Sequence, residues 1–177
     1  MYAYQQVLDY WFDELGPSGW YKKSAATDAT IRAKFAELLM AIIQGECAGW
    51  RTTALGSLAE IIVLDQFSRN IYRDTPHAFS QDPQALTLAQ FAIEKGFDKS
   101  LPESQRVFFY MPFMHSESKY IHSLALALFK GLANEDYELA HKKIIDQFAR
   151  YPHRNEILGR PSTAAELAFL SQPGSRF

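Results

Sequence analysis

Apolar residues recur at three- and four-residue intervals along nearly the whole chain, and no stretch alternates with period two, so the pattern predicts helices without a sheet. Val7, Leu8, Trp11, Phe12 and Leu15 make the first such face, stopped by Gly16-Pro17. Ile31, Phe35, Leu38, Leu39 and Ile42 make the second, which ends near Gly45. A third helix is expected from about Thr53 to Tyr72. A fourth is expected to be capped by Asp82, with Pro83 in its first turn, and to close at Gly96.

From Leu101 to Met114 a helix carries Val107, Phe108 and Met111, with Pro112 inside it to kink or divide it. Ser116 is the expected cap of a helix reaching Lys130, with Gly131 as its stop, and Glu135 to Tyr151 forms another, ended by Pro152. Thr163 and Glu166 have the spacing of a capping box ahead of Leu167, Phe169 and Leu170. The expected fold class is all-α, about eight or nine helices in one domain over residues 1–177. No repeat consensus recurs at a fixed period. The polar stretch Arg73 to Gln81 is expected to be a mobile loop.

The third helix departs from a simple stripe. Leu55, Leu58, Ala59 and Ile62 continue at helical spacing into Asp65, Gln66, Arg69 and Arg73, while Val63, Leu64, Phe67 and Ile71 supply a second apolar side. A helix apolar on two flanks sits centrally, and its polar end then faces neighbours as well as water. Asp65 and Arg69 are four apart in the favourable order, whereas Arg69 and Arg73 repel unless an acid or an anionic ligand separates them. Two readings stand: a structural ion-pair network, or an anion-binding or acid/base site with Arg69 as its fork-shaped donor.

Two further constellations lie downstream. Pro112 lacks the N–H that would bond the carbonyl of Phe108, which leaves a free acceptor shortly before His115. Projecting the next helix backwards from Leu128, Leu124 and Ile121 puts Glu117 on its inward stripe, unless it is a first-turn acid complementing the helix dipole. His115 is a candidate general acid or base, or a histidine bonded within the core. His153, Arg154 and Asn155 follow Pro152 and precede Leu158-Gly159-Arg160, a turn that holds polar side chains in place or satisfies helix-end carbonyls.

Composition narrows the function classes. A formal net charge of −2 supplies no field for nucleic acid or an anionic membrane. No apolar run approaches a membrane span, and Met1 to Phe12 lacks the pattern of a secretory leader. With Cys47 as the one cysteine an internal disulfide is excluded and a cytoplasmic setting is expected. The histidines show no zinc spacing, and no phosphate-binding glycine loop is present, so no metal or cofactor is expected. The chain is 14% aromatic, and an exposed aromatic face would suit a homodimer.

Leu64-Asp65-Gln66-Phe67-Ser68-Arg69-Asn70, Met111 to Glu117, and His153-Arg154-Asn155 with Leu158-Gly159-Arg160 together resemble a widespread, mostly bacterial family of uncharacterised proteins catalogued as a domain of unknown function. Tyr10-Trp11-Phe12, Ala78-Phe79 and Asp82 extend the likeness over nearly the whole chain. Ser68 stands where proline is expected, and Lys119 to His122 replace a more acidic stretch. The resemblance implies antiparallel helical hairpins in a tetratricopeptide-like array and no established activity. It also implies that Asp65, Arg69, His115, Glu117 and Arg154 form one cluster.

The leading expectation is a non-enzymatic protein whose polar pocket takes a small anionic ligand or a peptide carboxylate. Arg69 and Arg154 would contact the anion, Asp65 would orient Arg69, and Gln66 and Asn70 would donate to the remaining oxygens; Arg73, His153 and Asn155 complete the candidate set. The rivals are a hydrolase or lyase in which His115 and Glu117 act as an acid/base pair, with Asp65 a further catalytic candidate, and an interaction scaffold using a concave aromatic surface.

Overall fold

The computed structural model describes residues 2–175, and among these no strand occurs. Helix α1 begins as an α-helix over Gln5–Leu8 and continues as a π-helix over Asp9–Leu15; a single turn, Pro17–Trp20, follows. Helix α2 spans Ala25–Ile43, with the Ser24 hydroxyl accepting from the Thr27 N–H. After a 3-10 turn at Ala48–Thr52, helix α3 runs as an α-helix over Ala54–Ile62, a π-helix over Val63–Phe67 and an α-helical turn over Ser68–Ile71. A 3-10 turn at Pro76–Phe79 leads to α4, Asp82–Glu94. Helices α5 (Glu103–Met114), α6 (Lys119–Phe129) and α7 (Glu135–Phe148) follow, then a 3-10 turn at Pro152–Arg154 and α8, Ala164–Leu170.

Consecutive helices pack on one another from α2 through α7, and α3 also touches α1 and α5. Every residue of α3 from Gly56 to Ser68 is buried. Its start is open to close packing because Gly56 has no Cβ, which would otherwise lie 2.2 Å from the Trp50 carbonyl oxygen. One flank of α3 is closed by rings: Phe67 lies 4.8 Å from Phe35 and 5.6 Å from Trp11 between centroids, and Trp11 meets Phe108 edge-on. A second, smaller cluster forms around Ile144, Ile145 and Tyr151, with Phe148 and Phe169 packed against it. No helix among the described residues is long and apolar enough to cross a membrane.

Three local expectations change, at Asp82, at Ser116 and at the end of α7. Asp82 opens α4 without capping it, since its carboxylate is drawn to Arg69, while Gln81 precedes the helix with no side-chain cap. Ser118, not Ser116, caps α6, so Glu117 stands before the helix instead of on its inward stripe. Pro112 does not divide α5, which runs on to Met114, with the His115 N–H bonding the Met111 carbonyl beyond it at 3.0 Å. Within the expected loop after Arg73, Pro76–Phe79 forms a 3-10 turn anchored by buried Ala78.

The helix expected to reach Tyr151 stops at Phe148, because Ala149 takes the left-handed conformation with φ 56° and its N–H bonds the Ile145 carbonyl at 2.8 Å. This reversal sends Tyr151 and Arg154 back toward α5. An alanine Cβ disfavours that conformation, and Ala149 is exposed, so Ala149→Gly is expected to raise stability by up to about 1 kcal/mol in urea denaturation. A clear loss of stability would mean that the side chain has a packing role.

Candidate functional site

The π-helical turn of α3 sets Asp65 among three neighbours. Its side chain is 1% exposed, its Oδ1 lies 2.7 Å from His115 Nδ1, and its Oδ2 accepts from Gln66 Nε2 at 2.6 Å. Arg69, four residues on, donates Nη1 to the Asp65 carbonyl at 2.6 Å and lies 3.2 Å from Oδ1. The guanidinium then reaches α4, where Nη1 and Nη2 grip both oxygens of Asp82 at 2.9 and 3.0 Å. A π-turn is a common device for placing functional groups on a helix, and here it joins α3 to the start of α4 and the end of α5.

Arg154 completes the cluster from the far end of the chain. Its Nη2 donates to the His115 carbonyl at 3.1 Å, its Nη1 reaches Asp82 Oδ2 at only 3.4 Å, and its buried Nε–H has no partner. The guanidinium carbon sits 4.6 Å from the Phe79 ring centroid and 4.5 Å from that of Tyr151, held between two aromatic faces. Tyr151 is itself fully buried and donates its hydroxyl to the Met114 carbonyl.

Glu117 belongs to an adjoining clasp. Its oxygens accept from Arg160 Nη1 at 2.6 Å and Nη2 at 2.9 Å, and Oε1 accepts from the Tyr151 N–H at 2.8 Å. Arg160 Nε donates to Asn155, whose amide reaches Ser162. The clasp fastens the segment bearing Leu158 against the end of α5. Asn70 and Arg73 turn the other way: both bind Asp28 of α2, Asn70 at 2.8 Å and Arg73 through Nε and Nη2. The repulsion expected between Arg69 and Arg73 is therefore met by a separate carboxylate for each. His153 lies beside Tyr151, 5.4 Å between ring centroids.

These groups wall a cleft of about 440 Å³. Asp82, His115, Glu117 and Arg154 supply its charged and ionisable rim; Phe79, Leu86, Pro112 and Leu158 are among its apolar walls. Arg69 is absent from the lining, its donors being engaged by Asp65 and Asp82. Phe79, Asp82, Tyr151 and Arg160 were not foreseen in the site: Phe79 and Arg160 lie outside any helical period, Asp82 reads as a cap and Tyr151 as a helix end. Among the described residues no set of three or more His, Cys, Asp or Glu side chains is grouped to hold a metal ion.

The electrostatics follow from burial and partners. Burial raises the Asp65 carboxyl, but His115, Arg69 and the bonds from His115 and Gln66 outweigh it and bring the group down to about 2. Burial and the Arg69 charge hold His115 below its ordinary range, against the pull of Asp65. At neutral pH the pair is then a carboxylate and a neutral imidazole whose Nδ1–H donates to Oδ1. Glu117 is raised by burial and lowered further by Arg160 and the Tyr151 N–H, so it too stays ionised.

Residues 7–174 match the family described as a bacterial protein of unknown function (DUF924). A solved structure of a protein of unknown function from Agrobacterium tumefaciens has a TM-score of 0.91 to this chain at 36% sequence identity, covering 95% of this chain and 96% of that one. No curated protein matches the chain.

The folded state holds its Asp65 proton only near pH 2, against an ordinary 3.8, so on acidification the unfolded chain takes up that proton first. The stabilisation is complete above about pH 4 and is lost as pH falls toward about 2. Asp65→Asn is expected to be less stable at neutral pH by about 3 kcal/mol, because Arg69 loses one of its two counter-charges and the more deeply buried one, and to lose less than the wild type on acidification. Urea denaturation across a pH series measures both; equal acid losses would assign the acid sensitivity to other carboxylates.

Proposed function

The chain belongs to the bacterial DUF924 family, and from that premise we propose that it binds a small carboxylate in the cleft beside Arg154. The observation that carries the reading is the state of that arginine. It is 6% exposed, it forms part of the cleft wall, and two contacts at 3.1 and 3.4 Å engage a guanidinium with five N–H donors. A buried arginine so under-engaged is a receptor for a forked acceptor, and a carboxylate matches its geometry.

The surroundings support a small, partly apolar acid. The cleft volume lies in the range that small-molecule sites occupy, and a few polar groups converge among apolar walls. Asp82 and Glu117 are each gripped by another arginine, Arg69 and Arg160, which leaves Arg154 as the cation facing the cleft. Of the two arginines expected to contact the anion, Arg154 keeps that role, and Arg69 becomes the group that fixes Asp65 and Asp82. The packing of successive helices supports a tetratricopeptide-like array, and the lone Cys47 supports a cytoplasmic setting.

Thermal and calorimetric titration with carboxylates from acetate to octanoate tests the reading. A ligand at about 100 times its dissociation constant is expected to stabilise the wild type by roughly 2.7 kcal/mol. Arg154→Ala is expected to stay folded and lose that stabilisation, whereas Arg69→Ala is expected to lose about 3 to 5 kcal/mol of stability without ligand, since it leaves buried carboxylates uncompensated. A wild type unmoved by every carboxylate, or an Arg154→Ala variant that binds as well as the wild type, overturns the proposal.

A further inference from the structure

We infer that the same cleft hydrolyses small carboxylic esters, with His115 as general base toward water and Asp65 as the residue that positions it. The inference rests on the carboxylate reading, because the acid released by hydrolysis is the ligand that Arg154 would hold.

Geometry carries the assignment of the base. His115 ends α5, its Nδ1 is fixed 2.7 Å from a carboxylate that is itself held by Gln66 and Arg69, the residue lines the cleft, and its side chain keeps 16% of its surface exposed. Donation from Nδ1 fixes the tautomer, so Nε2 carries the lone pair and is the ring nitrogen left for a reacting group. Glu117, the acid/base partner expected from spacing, is instead clasped by Arg160, and the carboxylate on His115 is Asp65.

The lining selects water as the nucleophile. Ser80 donates its hydroxyl to the Pro76 carbonyl, and Ser116 accepts from the Ser118 N–H; neither bonds His115. Arg154, bonded to the His115 carbonyl and lining the same cleft, is the donor for the charge that develops on an ester carbonyl oxygen. Phe79, Leu86 and Leu158 offer an apolar wall to the acyl chain.

The step balances without a co-reactant. Nε2 takes a proton from water as the water oxygen bonds the ester carbonyl carbon, and the carbonyl oxygen becomes an oxyanion facing Arg154. Collapse breaks the bond between that carbon and the alkoxy oxygen, and the imidazolium returns its proton to the departing alcohol. The products are the carboxylic acid and the alcohol.

The purified chain with p-nitrophenyl butyrate as ester and butyrate as product ligand tests this. His115→Gln is expected to lower kcat by about 100-fold or more while butyrate still binds. Asp65→Asn is expected to lower kcat with little change in KM and to move the acidic limb of the rate profile to lower pH. The charges facing the ring are Asp65 and Arg69 on α3, Asp82 on α4 and Arg154 on the Pro152–Arg154 turn, with His141 of α7 also coupled to it, and removing Asp65 takes away an attraction that favours imidazolium. In the wild type, where no substitution threatens the fold, loss of hydrolysis is expected to track carbethoxylation of His115 by diethyl pyrocarbonate, mapped by mass spectrometry. Butyrate binding with hydrolysis equal in wild type and His115→Gln, or with none in the wild type, overturns the catalytic inference and leaves the carboxylate reading intact. Absence of both binding and hydrolysis overturns both.

Discussion

A carboxylate buried on the central helix constrains everything around it. Asp65 lies on a helix with no exposed residue from Gly56 to Ser68, where an uncompensated charge would cost several kcal/mol. Its compensation comes from Gln66 and Arg69 on its own helix and from His115 at the end of α5. Arg69 in turn requires Asp82, which fixes the start of α4, and Arg154 reaches both Asp82 and the His115 carbonyl. One buried acid thereby orders segments from the middle and the far end of the chain.

The same device recurs at the edges of the fold. Arg73 clasps Asp28, Arg51 clasps Glu60, Arg160 clasps Glu117 and Arg150 clasps Glu166, each through two guanidinium nitrogens. A planar fork matched to a carboxylate sets the relative position and angle of two segments more narrowly than apolar contact does. Pairs of this kind add little net stability against an apolar alternative, so their effect here is geometric: they fix where α2, α4 and the segment after α7 meet α3 and α5.

Arg154 is the exception among these arginines. It lies at the seam between the main core and the small cluster around Tyr151, with ring faces on two sides and a carboxylate, Asp82, that it shares with Arg69. The cleft opens there because the turn bearing Phe79 and the segment bearing Leu158 approach α5 without filling the space between them. Rigid clasps surround an under-engaged cation and a histidine held by Asp65.

Local physics fixed the helices from the sequence alone: apolar spacing placed α2 and α3, glycines and prolines marked most ends, and Thr163 with Glu166 announced a capping box that the structure contains in full. Helical projection also singled out Asp65, Arg69 and Glu117, because a polar side chain at a position due for burial must find a partner, while Pro112 pointed to His115 and the turn between Pro152 and Gly159 to Arg154. It left the partner open. That Arg73 and Asn70 turn to Asp28, that Glu117 pairs with Arg160, and that Asp82 serves Arg69 instead of its own helix were decided by the tertiary structure. So was the turn-back at Ala149, where a residue without a glycine's freedom takes the left-handed conformation and delivers Tyr151 and Arg154 to the site. Periodicity reports which face of an element is covered, whereas the choice of ion-pair partner depends on distances between residues far apart in the chain, which exist only once the helices have packed.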